Sequence, residues 1–211
     1  VCLSLNSFLS ILACAFIALP GHAQKNLADD EAHFFAHGGI SASTIQGGAV
    51  GGFNKINFLA GVGVLIPKGD EWRIGLEANI TQKGTRKVAD GPSAMIEQYR
   101  ANLIYGQAAG YAELAIGGDF SVYLGPAIGY LLSSSETDFN GPVTGPSKTN
   151  FTDFELSVLG GVKYTPINHV STYFRFDQSI LPIVDTGLSN NSITGIRQFH
   201  TVLAIGLIFT L

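Results

Sequence analysis

Beyond its first 23 residues the chain keeps four histidines, His33, His37, His169 and His200. Metal binding and acid–base catalysis both need such groups gathered with carboxylates or hydroxyls. Here they are scattered, each near the end of an alternating run or in a turn, and no spacing matches a zinc site. A lipid hydrolase would need His and Ser close together on one face, and the single His-x-Ser triplet, His169-Val170-Ser171, starts in a predicted turn. Asp177 and His200 would come close if the last two strands pair, but one Asp–His pair is a weak sign of catalysis. The Gly-rich stretch 45–55 opens no helical pattern, so it is a loop and not a phosphate cradle. Asp29-Asp30-Glu31 reads as a solvated lead-in rather than a metal site. Lys83-Gly84-Thr85-Arg86-Lys87 reads as a solvated loop, with lipopolysaccharide phosphates as its functional alternative. The residues imply no catalytic set, no cofactor and no metal, and so no enzyme.

The remaining charges recur at every second position of apolar runs. Period two means a β-strand with one apolar face. The last stretch, 199–211, shows it best: Phe199, Leu203, Ile205, Leu207, Phe209 and Leu211 share one parity, with Thr201 among them. The pattern predicts eight strands, over 33–44, 56–66, 72–83, 97–112, 119–133, 151–165, 170–180 and 199–211. In the fourth, Tyr99, Ala101, Leu103, Tyr105, Ala109 and Tyr111 are expected to face outward with Gln107 as a blemish, opposite Arg100 and Asn102. Arg73, Glu77, Lys83, Arg100, Asp153, Glu155, Lys163, Arg175 and Asp177 are all expected to project inward. Charges confined in a lumen are costly unless paired, so these predict a salt-bridged plug. The functional alternative is a small polar passage or a proton or ligand site.

Such strands imply an all-β fold: an eight-stranded antiparallel up-and-down transmembrane β-barrel. The chain has 211 residues, 46% of them apolar and 13% charged; soluble domains carry about 25% charged residues. A net charge of −4 argues against nucleic acid as a partner. Residues 1–23 carry an apolar core followed by Pro20-Gly21-His22-Ala23 and are expected to be a signal peptide cut after Ala23, leaving 24–211 as the barrel domain. Cys2 and Cys14 both lie in that leader. Long predicted loops, 45–55, 84–96, 134–150 and 181–197, alternate with short turns, as in outer-membrane barrels with periplasmic turns. Aromatics on the apolar parity fall at strand ends. Trp72, Tyr111, Phe120, Tyr164 and Phe209 are expected at the periplasmic rim, and Tyr99, Tyr130, Phe154 and Phe199 at the outer rim, as two interfacial belts. A soluble lipocalin-like barrel would need a charged outer face, and the second parity is too poor in charge for that.

Gly51-Gly52-Phe53-Asn54-Lys55, the run 82–87 beginning Gln82-Lys83-Gly84, Gly125-Pro126-Ala127-Ile128-Gly129-Tyr130 and Asp177-Gln178-Ser179-Ile180-Leu181-Pro182 resemble the outer-membrane β-barrel domain of PorT-like proteins of Bacteroidota. The fourth strand departs, with Gly106-Gln107-Ala108-Ala109-Gly110 where such proteins often carry a Glu-x-Pro-like segment. The resemblance implies a bacterial outer-membrane barrel, without catalytic residues, that in some members assists secretion. The expected role is therefore a membrane anchor, surface interaction protein or secretion accessory. Its expected partners are outer-membrane lipid, lipopolysaccharide and secretion-machinery or surface proteins. A lipid-modifying or small-ligand-transporting barrel is the alternative.

Overall fold

A computed structural model of the protein describes residues 31–47, 52–69, 71–88, 97–117, 119–145, 148–184 and 197–211. The expected signal peptide, the acidic lead-in up to Asp30 and parts of the four long loops lie outside the described residues. Eight strands make the wall: β1 (His33–Gln46), β2 (Lys55–Lys68), β3 (Trp72–Val88), β4 (Glu97–Gly117), β5 (Phe120–Asp138), β6 (Phe154–Ile167), β7 (Val170–Ser179) and β8 (Phe199–Thr210). Each pairs antiparallel with the next, and β8 pairs with β1 from Phe35↔Thr210 to Gln46↔Phe199. The sheet therefore closes and leaves no wall strand with an open edge. Among the described residues no helix is long and apolar enough to cross a membrane; the strands do the crossing.

The outer face is a continuous apolar surface. Ile40, Ile56, Phe58, Leu124, Ile128, Phe174 and Ile205 are each more than half exposed on it. A water-soluble protein rarely exposes apolar patches beyond a few hundred Å², whereas hydrocarbon solvates such a wall. Two aromatic pairs mark its height. Phe120 and Tyr164, opposite each other on β5 and β6, stack at 4.6 Å between centroids. Tyr130 and Phe154, opposite each other at the far end of the same two strands, meet at 5.2 Å. Ten residues of strand cover roughly 33 Å, and at a tilt of about 40° that becomes about 25 Å, the height of a barrel's apolar band.

The wall is uneven in height. β3, β4 and β5 run on past the others at the long-loop end, and a two-residue strand, Gly141–Pro142, folds back onto β5 there. The loop predicted at 84–96 therefore begins later, β4 runs through most of the turn predicted at 113–118, and the loop predicted at 134–150 gives up its first residues to β5. β6 begins at Phe154 rather than at 151.

One face assignment is reversed. Ala101, Leu103, Tyr105, Gln107, Ala109 and Tyr111 of β4 are buried and point into the lumen, and Tyr99 packs on the inner cluster. The cause is packing. The inward positions of the other strands are often glycine, and bulky residues fill the room they leave. A Cβ on Gly75 or Gly125 would overlap Tyr111; on Gly161 it would meet Tyr123; on Gly39 or Gly206, the Tyr173 hydroxyl. In β4 the larger residues fill the inside and small ones, Ala108, Gly110 and Ala112, line the outside.

This knob-in-hole packing gives a direct test. Gly75→Leu should destabilise the barrel by overpacking, by at least the usual ~1–3 kcal/mol, and adding Tyr111→Ala should recover most of the loss. Urea unfolding in lipid vesicles measures both.

Candidate functional site: a charge-filled, capped lumen

Three clusters of paired charge cross the lumen, in order from the short-turn end. In the first, the fully buried Glu113 accepts from Arg73 Nη1 (2.8 Å), Lys163 Nζ (2.7 Å) and Ser121 Oγ (3.0 Å). In the second, Arg175 grips Glu77 with two parallel bonds, Nη1 to Oε1 at 2.7 Å and Nη2 to Oε2 at 2.9 Å. This bidentate geometry is the strongest form of the pair. Asn79 donates to Glu77 (2.8 Å) and accepts from His37 Nε2 (2.7 Å). Tyr123 and Tyr173 lie against the guanidinium, 5.6 and 5.2 Å from ring centre to Cζ. In the third, Lys83 Nζ donates to Glu155 (2.8 Å) and Asp177 (3.2 Å), Gln107 donates to Asp177 (3.0 Å), and His200 Nδ1 donates to Glu155 (3.0 Å).

Strand alternation dictates this arrangement. Arg73, Glu77, Asn79 and Lys83 share β3's inward parity, as do Glu155 and Lys163 on β6 and Tyr173, Arg175 and Asp177 on β7. Groups on opposite walls meet because an eight-stranded lumen is only wide enough for side chains. Most of these charges are nearly inaccessible to water, and the Lys83–Glu155 pair is 1% exposed on both sides. Removing Lys83 would strand Glu155 and Asp177 in a low-dielectric interior, and removing Glu77 would strand Arg175.

Seven of the nine expected lumen charges lie in these clusters: Arg73, Glu77, Lys83, Glu155, Lys163, Arg175 and Asp177. Two do not. Arg100 alternates with the buried Ala101 and so stands on the other face of β4, in register with Arg86. Asp153 precedes β6 and is exposed. Asp177 and His200 do not bond each other; Glu155 and Lys83 stand between them. Glu113, His37, Asn79, Gln107 and the two tyrosines complete the clusters and were not in the expected charge set. The signal for β4 was in its sequence: Gln107 and Glu113 share the parity that looks apolar.

Trp72, Phe120, Tyr164, Phe209 and Phe154 stand exposed on the outer wall, with Tyr130 and Phe199 half-buried. Tyr111 does not belong with them: it is a lumen residue against Tyr123 at 5.2 Å. Tyr99 also leaves the outer set and donates its hydroxyl to Glu136 (2.7 Å) at the long-loop end.

The two mouths differ. At the long-loop end, Phe151, Ile183 and Val184 close over the lumen and pack with Ile45, Ala101, Leu103 and Tyr105. Bridges Phe151↔Val184 and Val184↔Gln198 hold these loop residues together. At the short-turn end, a cavity of about 450 Å³ opens above Arg73 and Lys163. Among the described residues no group of three His, Cys, Asp or Glu could hold a metal ion.

Residues 11–195 match the family model of the outer membrane protein beta-barrel domain. The fold is similar to Ail, the attachment invasion locus protein of Yersinia pestis, at 12% identity and a TM-score of 0.50, covering 86% of this chain and 99% of that one. It is also similar to Neisserial surface protein A, at 13% identity and 0.52, covering 84% and 96%. No curated protein matches in sequence.

The burial contrast predicts unequal substitutions. Lys83→Met should cost about 3–5 kcal/mol, because Glu155 and Asp177 lose the buried cation they share. Asp153→Asn, at an exposed position, should stay within about 0.5 kcal/mol. Equilibrium unfolding of the two refolded variants checks this.

Proposed function

The chain belongs to the outer membrane protein beta-barrel domain family, and from that premise we propose a non-enzymatic, non-conducting barrel that acts through its long-loop end. It anchors a surface in the outer membrane for contact with other proteins. Its resemblance to PorT-like proteins supports a secretion-accessory form of that role. The basic residues Arg86 and Lys87, at the outer end of β3, support contact with lipopolysaccharide phosphates as part of that role. The observation that carries the reading is the filled lumen. Transport would need a continuous polar path, and the apolar cap of Leu103, Tyr105, Phe151 and Ile183 interrupts it above the third charge cluster. A lipid-modifying site would need a nucleophile beside a base. Among the described residues the histidine rings bond Asn79, Glu155 and the Thr210 carbonyl, and no serine joins them.

Reconstituted in a planar bilayer, the protein should show no stepwise conductance in molar salt, before or after Phe151→Ala. Discrete open steps in the wild type would refute the closed-lumen reading.

A further inference from the structure

The short-turn mouth has a built floor that the surface-facing role does not use. Glu113 is wholly buried and fully engaged by Arg73, Lys163 and Ser121. Two cations thus share one carboxylate, and one positive charge is left in excess. Arg73 is the accessible member, its side chain 37% exposed. Among the described residues its guanidinium has one partner, Glu113, which engages only Nη1; a guanidinium has five N–H donors. Above it lies the cavity of about 450 Å³, within the size range of small-molecule sites, with Ser121, Asn168 and Phe120 in its wall. The wall also holds Asp119, from the β4–β5 turn. Its charge opposes a dianion, while the single excess positive charge on the floor suits a monoanion.

We propose that this vestibule binds a monovalent carboxylate from the periplasmic side, with Arg73 as the principal contact. The free N–H groups of Arg73 would hold the ligand's two oxygens in the planar, forked geometry that guanidinium and carboxylate share. Lys163, held by Glu113, adds positive potential from below. The carboxylate could come from a small free solute or from the end of a peptide chain, and the chemistry is the same in both.

The test uses the full protein in lipid nanodiscs, titrated with four probes: acetate, a tripeptide with a free C-terminus, the same tripeptide amidated, and inorganic phosphate. Binding of acetate or the tripeptide acid, with the amide inert and phosphate weaker, is the expected result. Tighter binding of the tripeptide acid than of acetate identifies a chain end as the source; equal binding identifies a small solute. Arg73→Gln should raise the Kd at least tenfold, and Lys163→Gln should raise it several-fold. Asp153→Asn should leave it unchanged. Heat-dependent gel mobility confirms that each variant is folded, and the probe comparison on the wild type stands without any variant. No binding of either acid, equal binding of acid and amide, tighter binding of phosphate, or an unchanged Kd in folded Arg73→Gln would each overturn the proposal.

Discussion

A charge inside an eight-stranded barrel has neither bulk water nor lipid headgroups to solvate it, so it must meet an opposite charge across the lumen. That requirement organises the interior. The Glu77–Arg175 pair spans β3 and β7, Lys83 reaches Glu155 and Asp177 on β6 and β7, and Glu113 ties β4 to β3 and β6. Arg73 and Glu113 are directly opposite on neighbouring strands, and the other pairs cross the lumen between strands that are not neighbours in the sheet. They act as cross-braces on a wall otherwise held by backbone bonds between adjacent strands. The same pairs remove the empty polar volume that an open channel would need.

Packing supplies the rest. Inward glycines on six strands make the lumen wide enough for large rings, and Tyr111, Tyr123 and Tyr173 occupy that room. The rings then shield the charge clusters and lie against Arg175. At the long-loop end the tall wall of β3 to β5 gives Phe151, Ile183 and Val184 an apolar surface to close against. At the short-turn end no described residue covers Arg73 in this way, and its side chain is 37% exposed. The result is a barrel with one sealed mouth and one wet one, and that asymmetry separates the surface-facing role from the proposed ligand site.

Most of this order was legible in the sequence. Alternation placed the strands, and charges of one parity named seven of the lumen groups. The largest failure is one of face. Alternation reports two faces but does not say which is inside. In seven strands the more polar face is inside; in β4, Tyr105 and Tyr111 fill holes left by glycines on other strands, so the more apolar face turned inward. The error carried Arg100, Tyr99 and Tyr111 to the wrong face and hid Gln107. Glu113 was lost differently, because the strand runs on through what looks like a turn. Asp153 was assigned by parity, but the strand starts one residue after it. The apolar cap was not legible, because Phe151 and Val184 meet only through tertiary contacts between two loops.

The central claim is that the lumen charges are required as pairs and not singly, and a double-mutant cycle on Glu77 and Arg175 tests it most directly. Glu77→Leu and Arg175→Met, made separately, should each cost about 3–5 kcal/mol of unfolding free energy in lipid vesicles, since each leaves a buried charge alone. Made together, they should cost far less than the sum, because an apolar pair of similar volume leaves no charge to solvate. Additive losses would contradict the account. They would mean that the two groups are solvated independently and that the lumen is wetter and more open than the ion pairs imply.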